Sequence, residues 1–244
     1  MTALNDENDI AFTPATPVGV LDRSVAILEA VERGERSFRA IVAATGLPKP
    51  TAHRLIASLE QHGFLFHVGG LGYALGPRLL QLATAAMREL PLRHLARPVL
   101  ERLARTTGES TQLYVRQGDT RICVDSVESA NELRTIVPVG AVLPLDKGSA
   151  GKVFLAWGRT PDGLDTSGIG TALATTRRRG WADSYGEREK GVASVSAPVF
   201  GPLGELLAAV SVSGPRARLA GQSGKRYGPA VVEAAREIDA LLGA

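Results

Sequence analysis

GLPKPTAHRLIASL, residues 46–59, decides how the first third of this chain folds. Proline has no backbone N–H to donate, so Pro48 and Pro50 suit a turn and the first turn of a helix but not a helix interior. A helix is therefore predicted to start at Lys49. At about 100° per residue, Ala52, Leu55, Ile56 and Leu59 fall on one side, and Pro50, His53, Arg54, Ala57 and Gln61 on the other. The first set packs inward. The second faces out, with its cations concentrated at the helix N-terminus.

Working outward, VLDRSVAILEAVERG (20–34) places Leu21, Val25, Leu28 and Val31 at helical spacing and ends at Gly34. Ser37 is a helix N-cap before FRAIVAAT, whose stripe is Phe38, Ile41 and Val42, and Gly46 ends that helix. Downstream, FLFHVGGLGYAL (64–75) is two β-prone runs about a Gly-Gly turn, the pattern of a β-hairpin. Three short helices followed by a hairpin make a winged helix-turn-helix, in which the last helix enters the major groove of DNA by its N-terminal residues. Ser37, Lys49, Pro50, Thr51, His53 and Arg54 are the candidate DNA-binding residues, being short or cationic groups where phosphates and base edges would lie.

Charge agrees with an anionic partner for this block. The chain carries a net charge of only +3, but residues 19–106 hold twelve Lys and Arg against seven Asp and Glu, while residues 1–18 hold three acidic residues and no basic one. The single cysteine, Cys123, excludes a disulfide framework and a multi-cysteine zinc site within one chain, and fits a cytoplasmic location. It is expected to be a buried small hydrophobe. No apolar run approaches the roughly 18 residues of a membrane span, and no signal peptide is recognised. His53, His62, His67 and His94 show no metal-ligand spacing. No cofactor is expected.

Pro77 opens a connecting helix, RLLQLATAAMREL, with Leu79, Leu82, Ala83, Ala86, Met87 and Leu90 apolar. Pro91 breaks it. LRHLARPVLERLARTTG (92–108) continues as a helix that Pro98 is expected to kink or restart. From Ser110 the pattern changes: STQLYVRQG, TRICVDSVE and ELRTIVPVG read as strands, LPLDKGSAGKVFLAW becomes a helix after Gly148, and VASVSAPVF and LLAAVSVSG read as two more strands before a final helix from about Lys225. This is an α+β chain. The predicted division is an acidic, disordered tail (1–18), a DNA-binding domain (19–76), a linker helix (77–90) and a C-terminal domain (91–244).

In that domain, strand alternation places Ser194 and Ser196 on one face, and Ser211 and Ser213 likewise, with Val210 and Val212 opposite. The GSAG loop leads into a helix whose free N–H groups and positive dipole end favour a carboxylate. Ser149-Ala150-Gly151-Lys152 also matches the S-x-x-K pattern of serine acyltransferases and β-lactamases, but the companion S-D-N and K-T-G elements are absent, so the chain is not expected to be an enzyme.

LDRSVAILEAV, TGLPKPTAHRLIASLEQHGFL, YALGPRLLQLA, LPLDKGSAGKVFLA, GVASVSAPVF and LAAVSVSGPRARL, in this order, resemble the IclR family of bacterial transcriptional regulators from about Leu21 to Leu242. The resemblance implies an N-terminal winged helix-turn-helix, a linker helix, and a C-terminal α/β, GAF-like domain that binds a small organic effector. It further implies a dimer or tetramer acting on duplex DNA. The positions corresponding to effector contacts are Ser149, Ala150, Gly151, Ser184, Ser194, Ser211 and Ser213. Two departures stand out. Several family members that bind short keto acids carry Asp where Ser184 falls and Cys where Ser194 falls, and GRTPDGLDTSGIGTALATT (158–176) is shorter than the corresponding stretch of relatives. The alternative is a stand-alone small-molecule sensor whose helix-turn-helix docks protein; the basic face of the helix at 49–61 argues against it, because docking faces are depleted in charge.

Overall fold

The computed structural model describes residues 19–88, 91–161, 163–164, 168–219 and 223–243. The acidic tail, the domain boundary placed near residue 90, and the apolar side chains of Met87 and Leu90 lie outside the described residues. The chain forms two compact units, one containing residues 19–88 and the other 91–243.

The first unit runs α1 (Val20–Glu32), α2 (Phe38–Thr45), α3 (Lys49–Gln61), β1 (Leu65–Val68), β2 (Gly72–Leu75) and α4 (Pro77–Arg88). Its core is Ile27, Val31, Ile41, Ile56, Leu59 and Leu65. The hairpin of β1 and β2 turns through a single 3-10 turn at Gly69–Leu71. Gly76 follows it at a point of close approach: a Cβ there would lie 2.1 Å from the Gly63 carbonyl oxygen. One stripe is corrected. Leu21 and Val25 of α1 are 74% and 42% exposed, whereas the buried residues are Ile27, Ala30 and Val31. The i, i+4 spacing found an apolar stripe, but the face that meets α2 and α3 is rotated from it, so the Leu21–Val25 stripe is left uncovered by this unit.

The second unit holds α5 (Pro91–Thr107), β3 (Ser110–Gln117), β4 (Thr120–Val127), β5 (Val142–Pro144), α6 (Ser149–Trp157), α7 (Gly170–Arg179), β6 (Ala182–Tyr185), β7 (Val192–Phe200), β8 (Leu206–Pro215), α8 (Arg216–Leu219) and α9 (Ser223–Leu242). The six strands form one antiparallel sheet in the order β5-β4-β3-β8-β7-β6. α5 and α9 cover one face with Val99, Leu100, Val231 and Ile238 against Val195, Val210 and Val212. α6 and α7 cover the other, with Phe154, Val153 and Leu173 against Tyr114, Cys123 and Ala209. α5 continues through Pro98 without a restart.

ELRTIVPVG is not a strand. Residues 132–140 cross the sheet edge as irregular chain, with Pro138 lacking a ladder donor; the Cys123 N–H instead reaches the Ala141 carbonyl, and Val142–Pro144 takes the edge position. β6, absent from the sequence reading, closes the opposite edge against β7. A bulge in β4 leaves Val124 unpaired between Cys123↔Tyr114 and Asp125↔Leu113. It turns Asp125 to the α5 side, where it meets Arg97 at 3.0 Å and Arg93 at 3.7 Å.

Candidate functional site

In the first unit, Gly46 ends α2 in left-handed backbone at φ +65, and Pro48 is the N-cap of α3, with Lys49 and Pro50 in its first turn. Ala52, Ile56 and Leu59 anchor the inner side. Lys49, Pro50, His53 and Arg54 are exposed and Thr51 is half-buried. The first turn contains no acidic side chain to offset them. The His53 ring stands edge-on to Phe38 of α2, centroids 6.2 Å apart, which restrains an otherwise solvated side chain. Ser37 is exposed and caps α2, its hydroxyl accepting the Ala40 N–H at 3.1 Å. The hydroxyl hydrogen remains available to another acceptor.

In the second unit, β7 and β8 place Ser194 opposite Ser213 and Ser196 opposite Ser211. β6 brings Ser184 opposite Ser194. The N-terminus of α6 presents Ser149 to the same face. Four hydroxyls make a chain: Ser149 Oγ is 2.7 Å from Ser194 Oγ and 2.6 Å from Ser196 Oγ, and Ser196 donates to Ser211 at 2.9 Å. Ser213 donates to Gln112 Oε1 at 3.0 Å, leaving the buried Gln112 Nε2 without a partner. Ser149, Ser184, Ser194, Ser211 and Ser213 border a cavity also lined by Tyr114, Arg121, Leu143, Gly148 and Ala150, with Arg188, Glu189 and Val192 beside the β6–β7 turn; Ser196 lies behind it in the hydroxyl chain. The cavity is narrow, with a volume of about 30 Å³.

Gly151 has a packing role here. It does not line the cavity; its missing Cβ admits the Leu145 carbonyl and the Arg121 guanidinium, a Cβ there falling 2.2 Å from the carbonyl oxygen and 2.8 Å from Nη1. The α6 N-terminus is also less open than its sequence suggests, because Glu187 Oε2 accepts the Gly148 N–H at 3.0 Å and Oε1 pairs with Lys152. Lys152 further donates to the Asp183 carbonyl at 2.9 Å. Ser149 and Lys152 are thus committed to different partners, which leaves no Ser–Lys proton relay.

The sequence reading missed Arg121. It is 3% exposed on β4, donates Nη1 to the Pro144 carbonyl and lies over the Tyr114 ring at 5.5 Å, while its Nε is buried without a partner. Burial lowers its guanidinium to about 10, so it stays charged at neutral pH. Burial also raises the Tyr114 phenol above its ordinary range and the Cys123 thiol to about 12, which keeps both neutral. A signal for Arg121 existed: within TRICVDSV it alternates with Cys123, the position already read as buried.

Residues 20–68 match the family model described as IclR helix-turn-helix domain, and residues 84–166 and 160–240 match that of Bacterial transcriptional regulator IclR C-terminal. The chain belongs to the IclR family. IclR chains are transcriptional regulators with a helix-turn-helix DNA-binding domain, and this chain is one of them rather than an enzyme. It is 29% identical to the transcriptional repressor IclR of Escherichia coli (strain K12) over 96% of this chain and 94% of that one. A crystal structure of an IclR family transcriptional regulator from Brucella abortus superposes with a TM-score of 0.77 at 25% identity, covering 91% of this chain and 92% of the other. An IclR homolog from Microbacterium hydrocarbonoxydans, crystallised with 4-hydroxybenzoate, gives a TM-score of 0.76 at 26% identity over 92% of this chain and 99% of that one. The two-piece IclR C-terminal match meets at residues 160–166, inside the segment read as shortened. Among the described residues no helix is long and apolar enough to cross a membrane.

Proposed function

We propose that this IclR-family chain is a cytoplasmic, sequence-specific regulator whose operator affinity is set by a small organic acid. α3 reads DNA, with Arg54, Lys49, Thr51 and His53 addressing bases and phosphates of the major groove, and Pro50 and Ser37 shaping and flanking that contact. The observation that carries this reading is the uncovered cationic end of α3 inside the segment that matches the family's helix-turn-helix. Ser149, Ala150, Ser184, Ser194, Ser211 and Ser213 border the effector cavity, and the 4-hydroxybenzoate bound by the Microbacterium relative supports an acid as its occupant.

The functional unit is a homodimer or a homotetramer. In support, Val20, Leu21 and Val25 of α1 and Leu80 and Leu82 of α4 are exposed apolar residues on one unit, and duplex operators with paired half-sites match two-fold assemblies. Effector binding then shifts operator affinity, with a coupling of about 1–3 kcal/mol typical of such linkage. The test is titration of the purified protein onto duplex from its own upstream region, over a range of salt, with random duplex as competitor. Specific binding with a steep salt dependence supports the reading. Equal affinity for operator and random duplex throughout the genomic neighbourhood overturns it.

A further inference from the structure

The cavity already assigned to an effector contains a cation that Asp146 and Glu187 favour only from beyond ion-pair distance. Lys152 pairs with Glu187, and Arg188 pairs with Glu189 at 3.2 Å. Arg121 has no carboxylate within ion-pair distance among the described residues, although it is 3% exposed. Its guanidinium also lies against the N-terminal turn of α6, close enough that a Cβ on Gly148 would sit 3.0 Å from Nη2. Glu187 already accepts the Gly148 N–H at that turn, so the unmet positive feature is Arg121 itself, and a buried cation left unpaired is strongly unfavourable. An incoming carboxylate would supply the ion-pair partner that the Arg121 guanidinium lacks and an acceptor for its unpartnered Nε.

The serine array supplies the complementary half of the argument. A hydroxyl has one hydrogen and two lone pairs. The chain Ser194–Ser149–Ser196–Ser211 contains three hydrogen bonds among four hydroxyls, so three of the four hydrogens are spent. Ser213 spends its own on Gln112. Whichever way the chain is oriented, these five hydroxyls have one hydrogen left and an excess of lone pairs. Such a surface is poorly suited to a carboxylate, which only accepts, and well suited to a ligand O–H, which donates.

We infer that the site takes a compact aliphatic hydroxy-monocarboxylate, its carboxylate held by Arg121 and its hydroxyl donating into the serine array. One uncompensated cation selects a single negative charge, and the narrow interior selects a small skeleton. A keto acid of the same skeleton presents only acceptors to the array and binds less well. This rests on the effector reading of the cavity above and names the ligand class for it.

The experiment is calorimetric titration of the full-length protein with lactate, pyruvate, propanoate and malonate. Lactate is expected to bind at least tenfold more tightly than each of the others. Arg121→Gln should abolish lactate binding, and Arg121→Lys should retain part of it. Ser211→Ala should narrow the gap between lactate and propanoate, whereas a purely structural role would weaken both alike. Pyruvate or propanoate binding as tightly as lactate overturns the hydroxyl assignment, an unchanged Arg121→Gln overturns the anchor, and no binding of any of the four overturns the ligand class. Operator binding measured on the same preparation separates these failures from failure of the regulator reading, which predicts specific DNA binding whichever acid is preferred.

Discussion

The proposed DNA-reading face and the cavity are built in opposite ways. The face is one contiguous stretch, residues 48–54, whose side chains are set outward by the period of a single helix. The cavity gathers residues from β4, β6, β7, β8 and α6, and its Ser213–Gln112 contact joins positions 101 residues apart. A local site tolerates changes elsewhere so long as the helix folds, whereas a convergent site depends on the register of every strand that feeds it. Function in the first unit should therefore be lost by removing individual contacts, and in the second by displacing strands as well as by removing contacts.

The most severe expected loss tests that dependence. Asp125 is 1% exposed and faces Arg93 and Arg97. Its partners are 28% and 44% exposed, so Asp125→Ala strands no buried cation; the lost charged hydrogen bonds cost about 1.5–3 kcal/mol, which should lower the denaturation midpoint of the second unit and with it acid binding. A comparable loss in the first unit is expected from Gly76→Ala alone, since the methyl would collide with the Gly63 carbonyl. If Asp125→Ala leaves the second unit's unfolding unchanged, the claim that strand register governs the cavity fails.

Arg54→Ala should weaken operator binding by about 1–3 kcal/mol if it reads a base, with a smaller effect on random duplex. Equal losses on both duplexes would make it a phosphate contact. Ser211→Val together with Ser213→Val should abolish the effector response in a gel-shift titration while leaving operator affinity in the absence of effector unchanged. A retained response removes both serines from the site. Ser37→Ala removes the α2 cap and should cost about 0.5–2 kcal/mol of stability, visible in thermal melts.

The smallest expected effect is Asp239→Asn. Burial raises this carboxyl above its ordinary value although it accepts the Phe200 N–H at 2.8 Å. A raised folded value means the folded state binds the proton more tightly. The group therefore favours folding below its unfolded value, and that contribution disappears as pH rises through the folded value. Asparagine keeps an acceptor and cannot ionise. At neutral pH the variant should be as stable as the parent or slightly more so, and the acid-side slope of stability should flatten. Partial exposure limits the size of the change. Clear destabilisation at neutral pH would show that the charge itself strengthens the Phe200 contact.

What was legible in the sequence follows the same division. Proline placement and helical period located α3 and its outward face, because those signals act within one turn. The serine positions on β7 and β8 were legible from two-residue alternation. Arg121 was not singled out, since nothing in TRICVDSV tells that β4 lies beside α6; that depends on strand order. Residues 132–140 misled because β-branched content resembled a strand while Pro138 and the place already filled by Val142–Pro144 kept the segment out of the ladder. Leu21 and Val25 formed a genuine apolar stripe, but periodicity shows that a stripe exists, not which neighbour covers it.

The unpaired Val124 has an evolutionary consequence. It lets β4 carry Arg121 to the cavity side and Asp125 to the α5 side although the two are four residues apart and would otherwise share a face. Deleting or adding one residue between them would exchange those surroundings, placing a carboxylate or a cation among apolar side chains. The span from 121 to 125 is consequently closed to length variation. The family pattern itself breaks into two pieces elsewhere, at 160–166, in the loop after α6. Within this lineage, new ligand preferences are accordingly expected to arise by substituting cavity side chains, while the bulged strand keeps its length.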